Sequence, residues 1–283
     1  MSATPPRVGP GAAAARPAPL AAMPEHVRRG IRYVLTDIDD TLTTNGKLTA
    51  QAYTALEHLR DAGRIVVPVT GRPAGWCDHI ARMWPVDAVV GENGAFYMRY
   101  DAHAGKLTTR YAVAKTLAER EALRARLAKI GADVIAAVSG AALASDQHYR
   151  ETDLAIDWCE DVPALPRGDV DRIIALMEAQ GMTVKLSSIH VNGWFGTYDK
   201  LSTTQLLVRE AFGEDLDTVR DAVVFAGDSP NDAPMVAWFP NAVGVANLAG
   251  FLDRVPTPPA WITTHEAGAG FTELADFLLA PAT

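Results

Sequence analysis

An α/β fold with a mainly parallel sheet, interrupted by an inserted α+β unit, is what this sequence predicts. Three observations carry the expectation. Short apolar runs at Tyr33-Val34-Leu35-Thr36, Ile65-Val66-Val67-Pro68-Val69 and Val223-Val224-Phe225-Ala226 are each bounded by turn residues, the pattern of strands buried on both faces. Helix-length segments alternate with such runs at both ends of the chain, as right-handed βαβ units require. Between them, residues 97–194 abandon the alternation.

In chain order, a strand at 32–36 precedes a helix over 50–62 that Gly63 ends, and a strand at 64–69 precedes a helix near 74–84 and a strand at 86–90. The middle holds candidate strands at 95–100, 107–112, 153–157, 182–187 and 189–194, with helices at 116–130 and 168–180. Alternation resumes with a helix over 201–212 ended by Gly213, then a strand at 222–226, a helix at 231–238, strands at 241–245 and 260–262, and a helix at 270–279. The domains are therefore expected as a core from 29–96 and 195–283, with 97–194 inserted over it as a lid. Pro68 cannot donate to a ladder, so a local irregularity is expected there.

Residues 1–28 read as a disordered tail: Ser2 to Pro24 is rich in Ala and Pro and has no acidic residue. Its prolines, and Arg16, spoil any secretory h-region, and Met23 is an alternative start. Removing residues 1–24 is expected to leave folding and turnover nearly unchanged. No apolar stretch reaches the roughly 18 residues of a membrane span, so no membrane partner is expected. The net charge of −8 argues against a nucleic acid held on a broad basic surface. Cys77 and Cys159 have no CxxC partner and read as reduced thiols of a cytoplasmic protein. Oligomeric state is not legible.

Polar residues end the apolar runs. Asp37-Ile38-Asp39 follows the first, Thr70-Gly71-Arg72 the second, and Gly227-Asp228-Ser229-Pro230-Asn231-Asp232 the last; Lys200 opens a helical pattern. Ligands of open α/β sheets bind outside the carboxyl ends of the strands. Asp37 and Asp39 would repel a phosphate unless a cation lay between them, and Asp228 adds another hard oxygen. A few carboxylates with water and phosphate suit Mg²⁺. Lys200 supplies positive charge, while Thr70 and the N–H groups around Gly71 can hold phosphate oxygens. Taken singly these residues are unremarkable: Asp37, Asp39 and Asp40 make a solvated turn, Lys200 a surface lysine, and Arg72 a partner for a structural carboxylate.

In this order and spacing they resemble the haloacid dehalogenase (HAD) superfamily of phosphohydrolases. Asp37, Asp39, Thr41 and Leu42 match its Asp-x-Asp-x-Thr-Leu motif, Thr70 its second motif, and Lys200 its third. Gly227, Asp228, Asn231 and Asp232 match Gly-Asp-x-x-Asn-Asp, and Glu92-Asn93-Gly94-Ala95 is similar to a segment of the Cof-like, type IIB subgroup. The resemblance covers roughly residues 31 to 280. It implies a Rossmann-like core with a C2-type cap, and a Mg²⁺-dependent phosphatase of small phosphorylated metabolites, a sugar phosphate being the first expectation. Asp37 resembles the nucleophile that becomes an aspartyl phosphate, and Asp39 the general acid and then base; Thr70 and Lys200 complete the catalytic group. The metal group is Asp37, Asp39, Asp228 and Asp232: two side chains, the Asp39 backbone carbonyl, and Asp232 orienting waters or Lys200. Thr41, Gly71, Arg72, Asn93 and Asn231 are the expected phosphate and substrate contacts.

Asp40 and Leu201 stand where many relatives have Gly. Arg110, Lys115, His148 and Arg150 are cationic candidates for a sugar or carboxylate, and no spacing rule selects among them. His190 reads as a structural hinge residue. The alternatives are a phosphomutase resembling phosphomannomutase and a non-catalytic phospho-acceptor or regulatory protein, against which the intact Asp39 argues.

Overall fold

Residues 16–281 are described in the computed structural model. The core is a six-stranded, all-parallel sheet, in the order β1 (Ala18–Pro19), β13 (Trp261–Ile262), β12 (Asn241–Gly244), β11 (Val223–Gly227), β2 (Tyr33–Thr36) and β3 (Ile65–Pro68). Along β2, Tyr33 and Leu35 face one apolar cluster and Val34 faces the other, the period-2 reading of a strand covered on both sides. Helices α1 (Glu25–Gly30), α2 (Ala50–Asp61), α3 (Ala74–Met83), α6 (Lys200–Leu207), α7 (Leu216–Val219), α8 (Ala233–Trp238) and α9 (Ala267–Leu279) complete this part. Because β11, β2 and β3 are neighbours, their carboxyl ends bring residues 37, 70 and 228 to one place.

The strand survives at Pro68, and the β2–β3 pairing runs through it without the local irregularity expected there. Ile65 donates to the Arg32 carbonyl just before β2 and Val69 to that of Thr36 in β2, while Val66 donates the other way, to Asp87 Oδ2. Pro68 shares the outward phase of Val66, where no ladder donor is required.

The insertion starts later than position 97. Strand β4 (Val89–Gly91) joins the core through the bridge Val69↔Val90 and pairs with the hairpin of β5 (Phe96–Asp101) and β6 (Lys106–Tyr111). Phe96 and Met98 belong to one core cluster and Tyr97 to the other, so this hairpin is part of the core. Alternation identified the strands and was silent on which sheet they join. The cap proper comprises α4 (Leu117–Ala137), α5 (Arg167–Glu178) and an antiparallel sheet ordered β7 (Ala142–Leu143), β8 (Asp153–Asp157), β10 (His190–Trp194), β9 (Thr183–Leu186). It has its own apolar cluster, including Leu127, Ile130, Leu154, Ile173 and Val191. Helix α4 begins with a capping box from Thr116 and Glu119 and runs seven residues beyond the expected end at 130, with Gly131 packed against Leu143 and Leu154.

The N-terminal expectation is corrected as well. Positions 1–15 lie outside the described residues, but the segment from Ala18 is built into the core. β1 pairs with β13, Leu20 and Met23 are buried, and Arg28 donates to the carbonyls of Phe277, Ala280 and Pro281 at the end of α9. The prolines that suggested disorder are compatible with an edge strand. Deleting residues 1–24 is therefore expected to cost about 3–6 kcal/mol, from two buried side chains at roughly 1.5–3 kcal/mol each. A thermal melt should fall by roughly 6–24 °C; an unchanged midpoint would mean that the segment adds nothing to the core.

Candidate active site

Asp37 follows β2 directly, and its Oδ1 accepts from the Ile38 N–H at 2.9 Å. Lys200, the first residue of α6, reaches it at the carboxyl ends of the strands: Nζ lies 3.1 Å from Asp37 Oδ1 and 2.7 Å from Asp232 Oδ1. The other Asp232 oxygen accepts from the Asp228 N–H. This return of the side chain needs Gly227, because a Cβ there would sit 2.5 Å from Asp232 Oδ2. Asp37, Asp228 and Asp232 each offer a carboxylate oxygen, and the three lie within 4.8 Å of one another.

Three buried carboxylates thus face one buried ammonium. Burial, with Asp232 and Asp39 adding to it against Lys200, pushes the Asp37 carboxyl up to about 7. Burial and the nearby Asp37, Asp232 and Asp40 hold Asp228 well above the usual carboxylate range. Burial alone would lower the Lys200 ammonium, but Asp232 and Asp37 outweigh it and raise it. Such a cluster is stable in its ionised form only with more positive charge. The donor set, hard oxygens in a tight group, fits a small divalent cation. Asp232 already spends both oxygens on Lys200 and the Asp228 N–H, which suits orienting others better than ligating a metal.

Several sequence-predicted residues fall elsewhere than expected. The Asp39 side chain is outside the acidic cluster: both of its oxygens accept from Arg72 Nε, at 3.0 and 2.9 Å, and Oδ1 also accepts from Nη2. Arg72, expected to bind phosphate, is thus engaged by carboxylates in this state. Thr41 holds no open phosphate position; its hydroxyl donates to Asp228 Oδ1 at 3.2 Å. Thr70 is fully buried, and its Oγ1 accepts from the Arg72 N–H, leaving its hydroxyl proton to donate. Gly71 gives its carbonyl to Arg150. Asn93, in a left-handed conformation at φ 56°, is buried beside Gly71 with its Nδ2 unpartnered. Asn231 accepts from the Ser229 hydroxyl and faces the same small void as Asp37 and Asp39.

Sequence reasoning missed the residues that close the cap. Arg72 also donates to Asp146 and Glu160, partners 74 and 88 positions away in the chain. Glu160 lies 2.8 Å from His190. Arg150 is fully buried between Asp146 and Asp153, so it is structural, and Arg110 pairs with Glu210 on the core; neither is free to bind a sugar. Glu92, at φ 43°, accepts from the N–H groups of Ala74, Glu151 and Thr152 and from the Thr152 hydroxyl. It ties the start of α3 to the cap. Asn247 was missed too; it donates to the Asp40 carbonyl. No local motif announces contacts of this range. What they enclose between Asp37, Asp39, Arg72, His190 and Asn231 is about 10 Å³, room for roughly one water. The cap is thus closed over the acidic cluster.

Burial would raise the Glu160 carboxyl, but His190 and Arg72 outweigh it and hold it at about 2, against an ordinary 4.5. A depressed acid stabilises the folded state above its unfolded value and loses that contribution as pH falls from about 4.5 through 2. Urea melts at about pH 6 and about pH 3 should therefore show a larger acid loss in the native protein than in Glu160→Gln. Equal losses would mean that the latch formed by Arg72 with Asp146 and Glu160 does not depend on the Glu160 carboxylate.

Residues 34–123 match the family model of haloacid dehalogenase-like hydrolases. A comparison with curated proteins gives no match. Among solved structures, the C-terminal domain of trehalose-6-phosphate phosphatase from C. albicans is similar at a TM-score of 0.69 and 13% identity, over 94% of this chain and 99% of that one. The sucrose-phosphatase of Synechocystis, solved with sucrose and phosphate, is similar at 0.58 and 17%, over 88% and 98%. A haloacid dehalogenase-like hydrolase from Bacteroides thetaiotaomicron is similar at 0.58 and 14%, over 87% and 98%. At these identities the likeness is one of fold: a parallel core sheet with an antiparallel cap.

Proposed function

We propose that this chain, a haloacid dehalogenase-like phosphomonoester hydrolase, is a Mg²⁺-dependent phosphatase of a small phosphorylated metabolite, a sugar phosphate first among them, working through an aspartyl phosphate on Asp37. One observation carries the reading: Lys200 bridges Asp37 and Asp232 inside a cluster of three buried carboxylates at the carboxyl ends of the neighbouring strands β2 and β11.

The residues divide the work as follows. An Asp37 oxygen attacks phosphorus, and the ester oxygen departs as an alcohol once Asp39 has given it a proton. Asp39, a carboxylate while both its oxygens accept from Arg72, must first leave Arg72 and take up a proton from solvent before it faces the leaving oxygen, and Arg72 is then released toward the phosphate. Water, deprotonated by Asp39, next attacks the phosphorus of the acyl phosphate and frees Asp37. Lys200 offsets the charge of Asp37 through both steps and is itself held by Asp232. The Thr70 hydroxyl and the orphaned Asn93 amide are donors for phosphate oxygens. Mg²⁺, held by the side chains of Asp37 and Asp228 with the Asp39 backbone carbonyl, would neutralise charge on the transferring group.

Phosphate release from an aryl phosphate is expected with Mg²⁺ present, to disappear on chelation and to return when Mg²⁺ is restored. Full turnover after exhaustive chelation would remove the metal assignment.

A further inference from the structure

The catalytic void has a much larger neighbour. A groove of about 490 Å³ opens from Asp39 and runs between the turn after β2 and the exposed side of α3. Its walls include Leu48, Trp76, Ile80 and Trp84, with Tyr149 of the cap at one end. Asp39, at the catalytic end, is the only Asp, Glu, Lys or Arg among the described residues that line it. The volume lies within the roughly 300–1,000 Å³ of small-molecule sites.

Two aromatic side chains are left facing water there: Trp76 is 42% exposed and Tyr149 50%. Arg72 stacks on Trp76, its guanidinium carbon 4.4 Å from the ring centre. The residue that engages Asp39 therefore also backs the Trp76 ring. Tyr149 rests on Gly75 in the first turn of α3, where a Cβ would come within 3.0 Å of the Tyr149 Cβ. Cap closure thus shuts the end of the groove in the same movement that shuts the void, and the two spaces meet at the general acid.

We propose that this groove receives the alcohol part of the phosphate ester, and that this part is a ring with an apolar face that packs on Trp76. The proposal rests on the phosphatase reading and names a substrate feature within it. Asp39 has to stand beside the leaving oxygen, so the alcohol extends from Asp39; two formed spaces open there, a smaller one of about 250 Å³ bordered by Asp40, Arg72 and Glu160, and this groove, which is the larger and the one with aromatic walls. An anionic alcohol would be desolvated among largely apolar walls beside the Asp39 carboxylate, with the His79 imidazole as its one basic neighbour in the lining. A ring face, whether of an aryl group or the C–H face of a saturated ring, gains stacking and apolar burial.

Phosphonates separate this idea from catalysis, because their P–C bond is not hydrolysed. Calorimetric titration of the full chain with Mg²⁺ should show phenylphosphonate or cyclohexylphosphonate binding roughly 3- to 10-fold more tightly than methylphosphonate. Trp76→Ala should abolish that advantage and Tyr149→Ala should reduce it, with methylphosphonate affinity unchanged in both. Both side chains are exposed, so neither variant is expected to unfold. An advantage confined to one ring type identifies the ring. Equal binding of all three phosphonates, no binding at all, or an equal loss for methylphosphonate in Trp76→Ala would overturn the proposal. Absence of phosphate release from phenyl phosphate, with ring-dependent binding intact, would overturn the phosphatase reading alone.

Discussion

Asp37→Asn is expected to abolish turnover of every phosphate ester, whereas Asp39→Asn is expected to slow it by roughly 10²- to 10⁴-fold, with a penalty that depends on the leaving group. The reasons differ. Without the Asp37 carboxylate there is no nucleophile to carry the phosphoryl group. Without Asp39 the attack still takes place, but an alkoxide of high pKa leaves without a proton. An activated aryl phosphate needs little protonation, so its phosphorylation step suffers less, and the later hydrolysis becomes slow because water has lost its base. Comparing 4-nitrophenyl phosphate with an alkyl phosphate in both variants measures this. An identical penalty for the two esters in Asp39→Asn would mean that Asp39 does not protonate the leaving oxygen.

Replacing Lys200 by Met should reduce both activity and stability. Its Nζ lies within 3.1 Å of Asp37 and 2.7 Å of Asp232, and all three groups are buried. Breaking a buried pair by removing one partner costs about 3–5 kcal/mol, because the remaining charges are left uncompensated. In a chain of this size the melting temperature should fall by roughly 6–20 °C. Mg²⁺ should then raise the melting temperature of the variant more than that of the native protein, since the cation takes over part of the missing charge. A midpoint within about 2 °C of the native one would show that Lys200 is not needed to balance the cluster.

Residues 37–41, 70–72 and 227–232 were legible because each motif is short and sits at the end of an apolar run whose strand character is local. Lys200 was legible by its order relative to them and by its place at the head of a helical pattern. Asp39 shows the limit of such reading. Its position after β2 followed from the sequence, while its pairing with Arg72 in the closed state did not.

The latch was hidden for the same physical reason. Arg72, Asp146 and Glu160 come together only when the cap folds over the core, and nothing in the spacing of these residues reports a contact across separate units. Ala18–Pro19 pairing with Trp261–Ile262 is likewise a contact between chain ends, and Ala/Pro-rich composition pointed away from it. The β5–β6 hairpin was correctly read as strands and assigned to the wrong unit, because the period of 2 records burial and not the identity of the neighbouring sheet.

A covalent phosphate at Asp37 is the central requirement of the proposed mechanism. Asp39→Asn protein, mixed with an activated aryl phosphate and Mg²⁺ and quenched in acid, should carry one base-labile phosphoryl group. Peptide mapping should place it within the segment Tyr33-Val34-Leu35-Thr36-Asp37, on Asp37. Label on any other residue, or undiminished ester turnover by the Asp37→Asn protein, would contradict it.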